Sequence, residues 1–387
     1  MKQKALIFIV LLLTTLINMP VSGQTDDNLN VIQTVVPFLT IAPDSRSGAM
    51  GDVGVATSPD VFSMHWNPSK FAFIDGNGGF GISYSPWLRA LVPDINLAYI
   101  TGYFRLDSKQ VLAGSMMYSS LGVLEFTTTD GYPLRDFRPL ELSLDASYSR
   151  LLSKHFSAGV ALRFIYSNIT GGTYVGETAT KAGIAVAADA SGFYTTDLNL
   201  GSKTGNLSAG INFSNIGSKM SYTNTRDPDF IPMNMKLGST GTIDLDRYNS
   251  ISLSLDLNKL LVPTPPIYDT DGVTIIDGKD PNVSVPVAIF QSFYDAPGGF
   301  SEEIKEFTIS IGTEYWYNEQ FALRAGYFHE AEMKGNKKYF TAGAGFRLSV
   351  FSLDFSYLVP VTQNNPLART LRFSLAFDFD ALRNVKK

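Results

Sequence analysis

The side chains able to do chemistry are few, and their spacing argues against a catalytic centre. A nucleophilic hydrolase needs a nucleophile, a base and an orienting acid within reach of one another, and no Gly-x-Ser-x-Gly elbow occurs. His329 with Glu330 and Glu332 is the one cluster that could supply a base, and it reads as part of a hydrated loop. Asp269-Thr270-Asp271-Gly272, followed by Asp277 and Asp280, opens like a calcium loop. The third acid and the closing glutamate of that motif are missing, so the run reads as a solvated acidic turn. Gly48, Gly51 and Gly54 have GxxGxxG spacing, which is no dinucleotide fingerprint, and read as places of close backbone packing. Gly201-Ser202-Lys203-Thr204-Gly205 lacks the glycine that precedes the lysine of a phosphate-binding loop. The absence of cysteine removes disulfides and thiolate metal sites. The expectation is a protein that is not an enzyme, with no cofactor and no metal.

The elements that carry these residues are written in the composition and the period. Of the 387 residues, 17% are charged, 44% apolar and 12% aromatic. A disordered chain needs more charge and fewer aromatics. A formal charge of −5 argues against nucleic acid as a partner. Residues 1–23 have Lys2 and Lys4, a short apolar core from Ala5 to Ile17, and Val21-Ser22-Gly23. That is the layout of an export signal cleaved before Gln24. No later apolar run approaches the ~20 residues of a membrane helix.

The rest of the chain alternates with period two, the mark of strands with one apolar face. Leu371, Phe373, Leu375, Phe377 and Phe379 oppose Arg372, Ser374, Ala376 and Asp378. Ile251, Leu253, Leu255 and Leu257 oppose Ser252, Ser254, Asp256 and Asn258. Many runs last ~9–12 residues, as a tilted transmembrane strand requires. Their polar face is rich in Gly, Ala and Ser with isolated charges, as suits a lumen. The expected fold is therefore all-β: an antiparallel outer-membrane β-barrel of about fourteen strands. The strands are placed near 79–86, 94–105, 110–127, 139–151, 155–168, 181–194, 205–214, 235–243, 249–258, 306–317, 320–328, 338–348, 351–360 and 369–379.

Connections after even strands are short and those after odd strands long, matching the periplasmic turns and outer loops of such barrels. The connection 195–204 fits this alternation less well. An even count puts both termini in the periplasm. Residues 24–78 lack sustained alternation and read as an N-terminal extension followed by a lumen plug, or hatch. A barrel of this width cannot be filled by its own side chains. The barrel itself is expected over 79–387.

The block PFLTIAPDSRSGAMGDVGVATSPDVFSMHWNPSKFAF, residues 37–73, resembles the N-terminal signature of the PorV family, outer-membrane barrels of the type IX secretion system in Bacteroidetes. Its marked positions are Pro37, Asp44, Arg46, Gly48, Gly51, Asp52, Gly54, Trp66, Asn67 and Pro68. The family is similar in fold to the FadL transporters, whose hatch carries Asn-Pro-Ala where this chain has Asn67-Pro68-Ser69. The resemblance implies an adaptor that binds the C-terminal signal domain of secreted cargo. It would receive cargo at the translocon barrel and deliver it to a surface attachment complex holding a sortase-like transpeptidase. Outer-membrane lipid would surround it. The alternative is a FadL-like importer of hydrophobic small molecules, which predicts an apolar pocket between plug and wall.

The connection 259–305 is the longest, and loops of that length usually serve function or are disordered. Val285, Val287, Ile289, Phe290, Phe293 and Tyr294 give it an apolar patch, expected to contact the translocon or cargo. Inward charges of both signs, among them Arg163, Arg324, Arg372, Asp145, Asp189, Asp256, Glu314 and Asp354, are expected to pair with one another and to anchor the plug.

Overall fold

A run that alternates large apolar with small polar side chains can bury only one face, and a sheet with one apolar face and no free edge is a closed barrel. The computed structural model describes residues 29–380, except 89–93, 128, 129, 131, 176, 226, 363, 364 and 369. The expected export signal and residues 24–28 lie outside the described residues.

Fourteen antiparallel strands close on themselves in sequence order. They are β1 (Gly78–Pro86), β2 (Ile95–Arg105), β3 (Gln110–Leu121), β4 (Leu140–Leu151), β5 (Phe156–Asn168), β6 (Gly183–Leu200) and β7 (Lys203–Gly217). The second half is β8 (Asn234–Asp244), β9 (Asn249–Leu260), β10 (Thr308–Tyr317), β11 (Phe321–His329), β12 (Lys338–Arg347), β13 (Phe351–Pro360) and β14 (Leu371–Asp378). The ring closes where β1 pairs with β14, from Gly79 opposite Asp378 to Tyr84 opposite Phe373. Each strand has two faces. On β5, Val160, Leu162 and Phe164 point out and are exposed, whereas Ala161, Arg163 and Ile165 point in and are buried. No helix among the described residues is long and apolar enough to cross a membrane; the strands do so, and the outward apolar belt faces the lipid of the outer membrane.

Turns of two to four residues follow every even strand that leads into another, and the connections after odd strands are longer, up to 261–307. The connection 195–204, which broke the expected alternation, shrinks to 201–202 because β6 and β7 continue past the apolar belt. Thr195 to Leu200 still pair with Lys203 to Ser208, and Leu198 and Leu200 keep the alternation against Asp197 and Asn199. The run expected over 110–127 is interrupted. β3 stops at Leu121, Gly122 takes a positive φ of 85°, and Leu124–Thr127 pairs with Pro133–Phe137 as a separate hairpin.

The segment before β1 is made of short helices: Pro37–Thr40, Ser45–Gly48, Ser63–Trp66 and Pro68–Phe73. It crosses the lumen. At the long-loop end the backbone N–H of Asn30 donates to the Met333 carbonyl, 2.9 Å away. At the short-turn end the Arg105 guanidinium donates to the Gly76 carbonyl, and Asn77 donates to Asp380. Strand parity therefore brings Gly79 and Asp378 to one mouth, while Asn30 lies at the other. The expectation that both termini share one side counted strands only and did not count this crossing.

Candidate functional site

The N-terminal segment is bonded to the wall around its circumference. Thr101 of β2 donates to the Val61 carbonyl, Ser149 of β4 to Pro68, and Ser157 of β5 to Ser69. Asn212 of β7 donates to the Trp66 carbonyl. The Asp256 carboxylate of β9 accepts from the N–H groups of Gly54 and Val55, at 2.7 and 3.0 Å. Thr341 of β12 accepts from the Gly51 N–H, and Ser374 of β14 from the Ser45 N–H. Small polar residues on the inward face thus act as hydrogen-bond partners for a backbone that would otherwise be buried unpaired.

The signature residues each have a local task. Pro37 opens the first 3₁₀ turn. Asp44 caps Ser45–Gly48 by accepting from the Ser47 N–H, and it also accepts from the Trp66 indole at 2.7 Å. Asn67 donates to the carbonyls of Val55 and Gly192 and accepts from the Ser69 N–H, so it ties two stretches of the segment to β6. Pro68 begins the 3₁₀ helix Pro68–Phe73. Gly48 leaves room for the Arg372 side chain, and Gly54 for the Trp66 ring. Gly51 has φ +69°, and a Cβ there would sit 2.6 Å from the Tyr327 carbonyl oxygen. Asp52 accepts from the Tyr339 hydroxyl at 2.5 Å and faces the Arg372 guanidinium at 3.7 Å.

Arg46 is the centre of a buried chain of charges. Its guanidinium grips Glu314 of β10 with two bonds, of 3.0 and 2.7 Å, and reaches Asp60 at 2.9 Å. Glu314 also accepts from Arg324 of β11 at 2.6 Å, and Arg324 reaches Asp354 of β13 at 2.6 Å. Five alternating charges thus link the segment to three strands. A second group joins Arg163 to Asp145 and Asp189. The sequence marked these inward charges, but not which of them meet, because pairing depends on register and on strand tilt. A cavity of about 230 Å³ lies beside the chain, lined by Arg46, Asp60, Trp316, Arg324, Arg347 and Asp354 among others. Its wall is mixed, with Val61, Phe62, Ile74, Val350, Phe351 and Phe377 beside the guanidinium and carboxylate groups.

The long connection is structured. Ile267–Tyr268 pairs with Ile275–Asp277 as a hairpin, followed by helices Val285–Gln291 and Phe300–Lys305. The acidic run forms the hairpin turn. The Asp271 carboxylate accepts from the N–H groups of Val273 and Thr274, both at 2.8 Å. The base of the loop is held by a charge cluster that the sequence did not signal. The Lys259 ammonium meets Glu303 and Glu306 at 3.2 and 2.5 Å, and that of Lys334 meets Glu302 and Glu306 at 2.5 and 2.9 Å. Asn30 donates to Glu302 and to the Pro265 carbonyl, tying in the N-terminal segment. Nearby, burial pushes the Asp295 carboxyl up to about 6, assisted by the charges of Glu303 and Glu306. The apolar patch divides: Val285 and Ile289 pack against the core, whereas Val287, Phe290, Phe293 and Tyr294 are exposed. Nothing in the spacing of Lys259, Glu302, Glu303, Glu306 and Lys334 reveals the cluster, which joins two loops and a strand end.

Comparison with solved structures finds barrels of similar outline. The toluene transporter TodX of Pseudomonas putida is 11% identical, over 90% of this chain and 98% of that one, with a TM-score of 0.46. The toluene transporter TbuX of Ralstonia pickettii is 11% identical, over 86% and 96%, at 0.41. A FadL homologue of Pseudomonas aeruginosa is 11% identical, over 91% and 100%, at 0.41. No curated protein matches the chain. A family model described as type IX secretion system protein PorV matches residues 24–267, more than half of the sequence, and that span takes in the whole N-terminal segment and all of the first nine strands. The chain belongs to the PorV family of the type IX secretion system.

Proposed function

We propose that the protein is a non-enzymatic adaptor of type IX secretion. It binds the C-terminal signal domain of secreted cargo and carries it from the translocon barrel to the surface attachment complex with its sortase-like transpeptidase. Membership of the PorV family carries this reading. The short-turn mouth faces the periplasm and the long loops face the cell surface. The N-terminal segment is a plug: Arg46, Asp52 and Asn67 fix it to the wall, which suits a protein that holds cargo outside rather than passing it through.

The contact element is the long loop. Its hairpin, Ile267–Tyr268 with Ile275–Asp277, forms a two-stranded sheet separate from the barrel. Ile267, Tyr268, Val273 and Ile276 are exposed on it. A β-rich signal domain could add to such an edge by backbone hydrogen bonds. An importer of hydrophobic small molecules would want an apolar chamber against the plug, and the cavity beside Arg46 mixes apolar side chains such as Phe62, Ile74 and Phe377 with the buried charges.

The hairpin can be removed without disturbing its base. A Cβ on Gly278 would lie 3.0 Å from the Pro266 Cα, so Pro266 can be joined to Gly278 with 267–277 excised. The excised variant should keep the heat-modifiable gel migration of a folded barrel and lose co-purification of cargo C-terminal domains. Undiminished cargo would reject the hairpin as contact element. Intact protein that carries bound fatty acid and no cargo would reject the adaptor.

A further inference from the structure

The outer half of the long loop is built inside out. In helix Phe300–Lys305, Phe300 and Ile304 lie four apart on one face, and they are 79% and 55% exposed. Glu302 and Glu303 occupy the other face and are buried, together with Glu306 just beyond the helix. Just upstream, Gln291, Ser292 and Asp295 are buried and Phe290 is 71% exposed, although helix Val285–Gln291 also turns Val285, Ala288 and Ile289 inward. A helix that faces water places charge outside and apolar side chains inside. Here the glutamates are inside, satisfied by Lys259 and Lys334, while Phe300 and Ile304 are outside together with the Lys305 side chain at the helix end.

The position of Lys259 says which outside is meant. Along β9, Asp256 points inward to the N-terminal segment, and Leu253 and Leu255 point outward and are exposed. Strand alternation places Leu257 and then Lys259 on that same outward, lipid-facing side. Lys259 is nonetheless buried, because Glu303 and Glu306 close over it and the Phe293 and Phe307 rings lie 5.6 and 5.4 Å from its ammonium. The residues around 293–307 therefore stand against the exterior of the wall, at the upper end of β9 and β10. Where they cover the wall, their own outer surface replaces it. At its margin the Lys279 ammonium sits 3.6 Å from the Tyr294 ring centroid, the pairing of aromatic body and cationic tip found at membrane interfaces.

We propose that the loop docks laterally on the membrane: Phe290, Phe300 and Ile304 enter the acyl region of the outer leaflet and continue the lipid-facing belt beyond the end of β9 and β10. The occupant of this face is lipid. The buried Lys–Glu cluster exists because the charges needed to seat the loop must be neutralised before its surroundings become apolar. The hairpin, anchored to the same base, is thereby held at a fixed height above the membrane.

The protein has no cysteine, so single-cysteine variants report cleanly. Ile304→Cys, with Leu253→Cys as a belt reference and Val273→Cys as a solvent reference, is labelled with bimane. Each variant is reconstituted as purified protein, at one chain per vesicle, into phosphatidylcholine–phosphatidylglycerol vesicles with brominated acyl chains. Brominated chains should quench the Ile304 probe within about twofold of the Leu253 probe, and aqueous iodide should quench it at least about fivefold less than the Val273 probe. Phe300→Cys should repeat the result, and serves if Ile304→Cys fails the heat-modifiability check. Iodide quenching equal to that at Val273 would overturn the proposal. So would protection that appears only with several chains per vesicle, or only after a partner protein is added, since a second copy or a partner would then cover the face.

Discussion

Replacing Glu314 by glutamine should loosen the N-terminal segment while sparing the barrel. Glu314 is the shared carboxylate of two buried arginines, with bonds of 3.0 and 2.7 Å to Arg46 and 2.6 Å to Arg324. Its side chain is 5% exposed. Glutamine keeps the shape but not the charge, and replaces one acceptor oxygen by an amide NH2 donor that faces a guanidinium. Removing one member of a buried ion pair costs roughly 3–5 kcal/mol. Asp60 still meets Arg46 and Asp354 still meets Arg324, which places the expected cost near about 3 kcal/mol, or a hundredfold in the opening equilibrium of the segment. Ser47→Cys provides the assay, because Ser47 is buried in the segment and the chain has no other thiol. Under conditions where reclosing outruns modification, thiol labelling rates report the opening equilibrium. Glu314→Gln in this background should label about a hundredfold faster, with unchanged heat-modifiable migration. A rate within about threefold of the Ser47→Cys parent would refute the claim that this charge chain holds the segment.

Two further outcomes follow from packing and charge. Gly326→Ala would place a Cβ 2.1 Å from the Gly51 nitrogen, where only backbone could give way, whereas a Cβ on Gly241 meets nothing within 4 Å. Overpacking of roughly 1–3 kcal/mol should raise Ser47→Cys labelling about tenfold or more for Gly326→Ala, and Gly241→Ala should leave it unchanged. The Asp295 carboxyl is pushed up from 3.8 to about 6 by burial, so the folded loop binds its proton more tightly than the unfolded loop does. Its contribution is fully present below the lower value and is lost as pH rises through the upper one. Amide exchange across 285–307, corrected for intrinsic rates, should therefore show weaker protection at about pH 7.5 than at about pH 5. Asp295→Asn should flatten that slope, and an identical slope in the variant would exclude Asp295 as its source.

Much of the barrel is written locally. A strand with a lipid face and a lumen face must repeat every two residues, so LRFSLAFDF and ISLSLDLN declare their two sides without reference to any neighbour. The signal fades where the apolar face is short. Residues 195–200 pair as the rest of β6 does, but only Leu198 and Leu200 mark their apolar side, too short a run to stand out from a loop. The hairpin Leu124–Thr127 with Pro133–Phe137 was hidden for the opposite reason, since its apolar residues continued the period of β3 across Gly122.

What the sequence determined by itself is the wall: its class, its number of strands, the face each side chain takes and the unusual character of residues 37–73. What only the tertiary structure decided is which residues meet across the space the wall encloses. Glu314 lies 268 positions from Arg46, and Lys334 lies 28 from Glu306. Their meeting depends on strand register, on ring closure and on a segment that crosses the lumen from one mouth to the other. Periodicity is a property of neighbours along the chain, whereas a buried charge pair is a property of the closed ring. The polarity of the long loop belongs to the second kind. Its glutamates and phenylalanines look ordinary in sequence, and their inversion becomes visible only when the wall shows which side of Lys259 faces lipid.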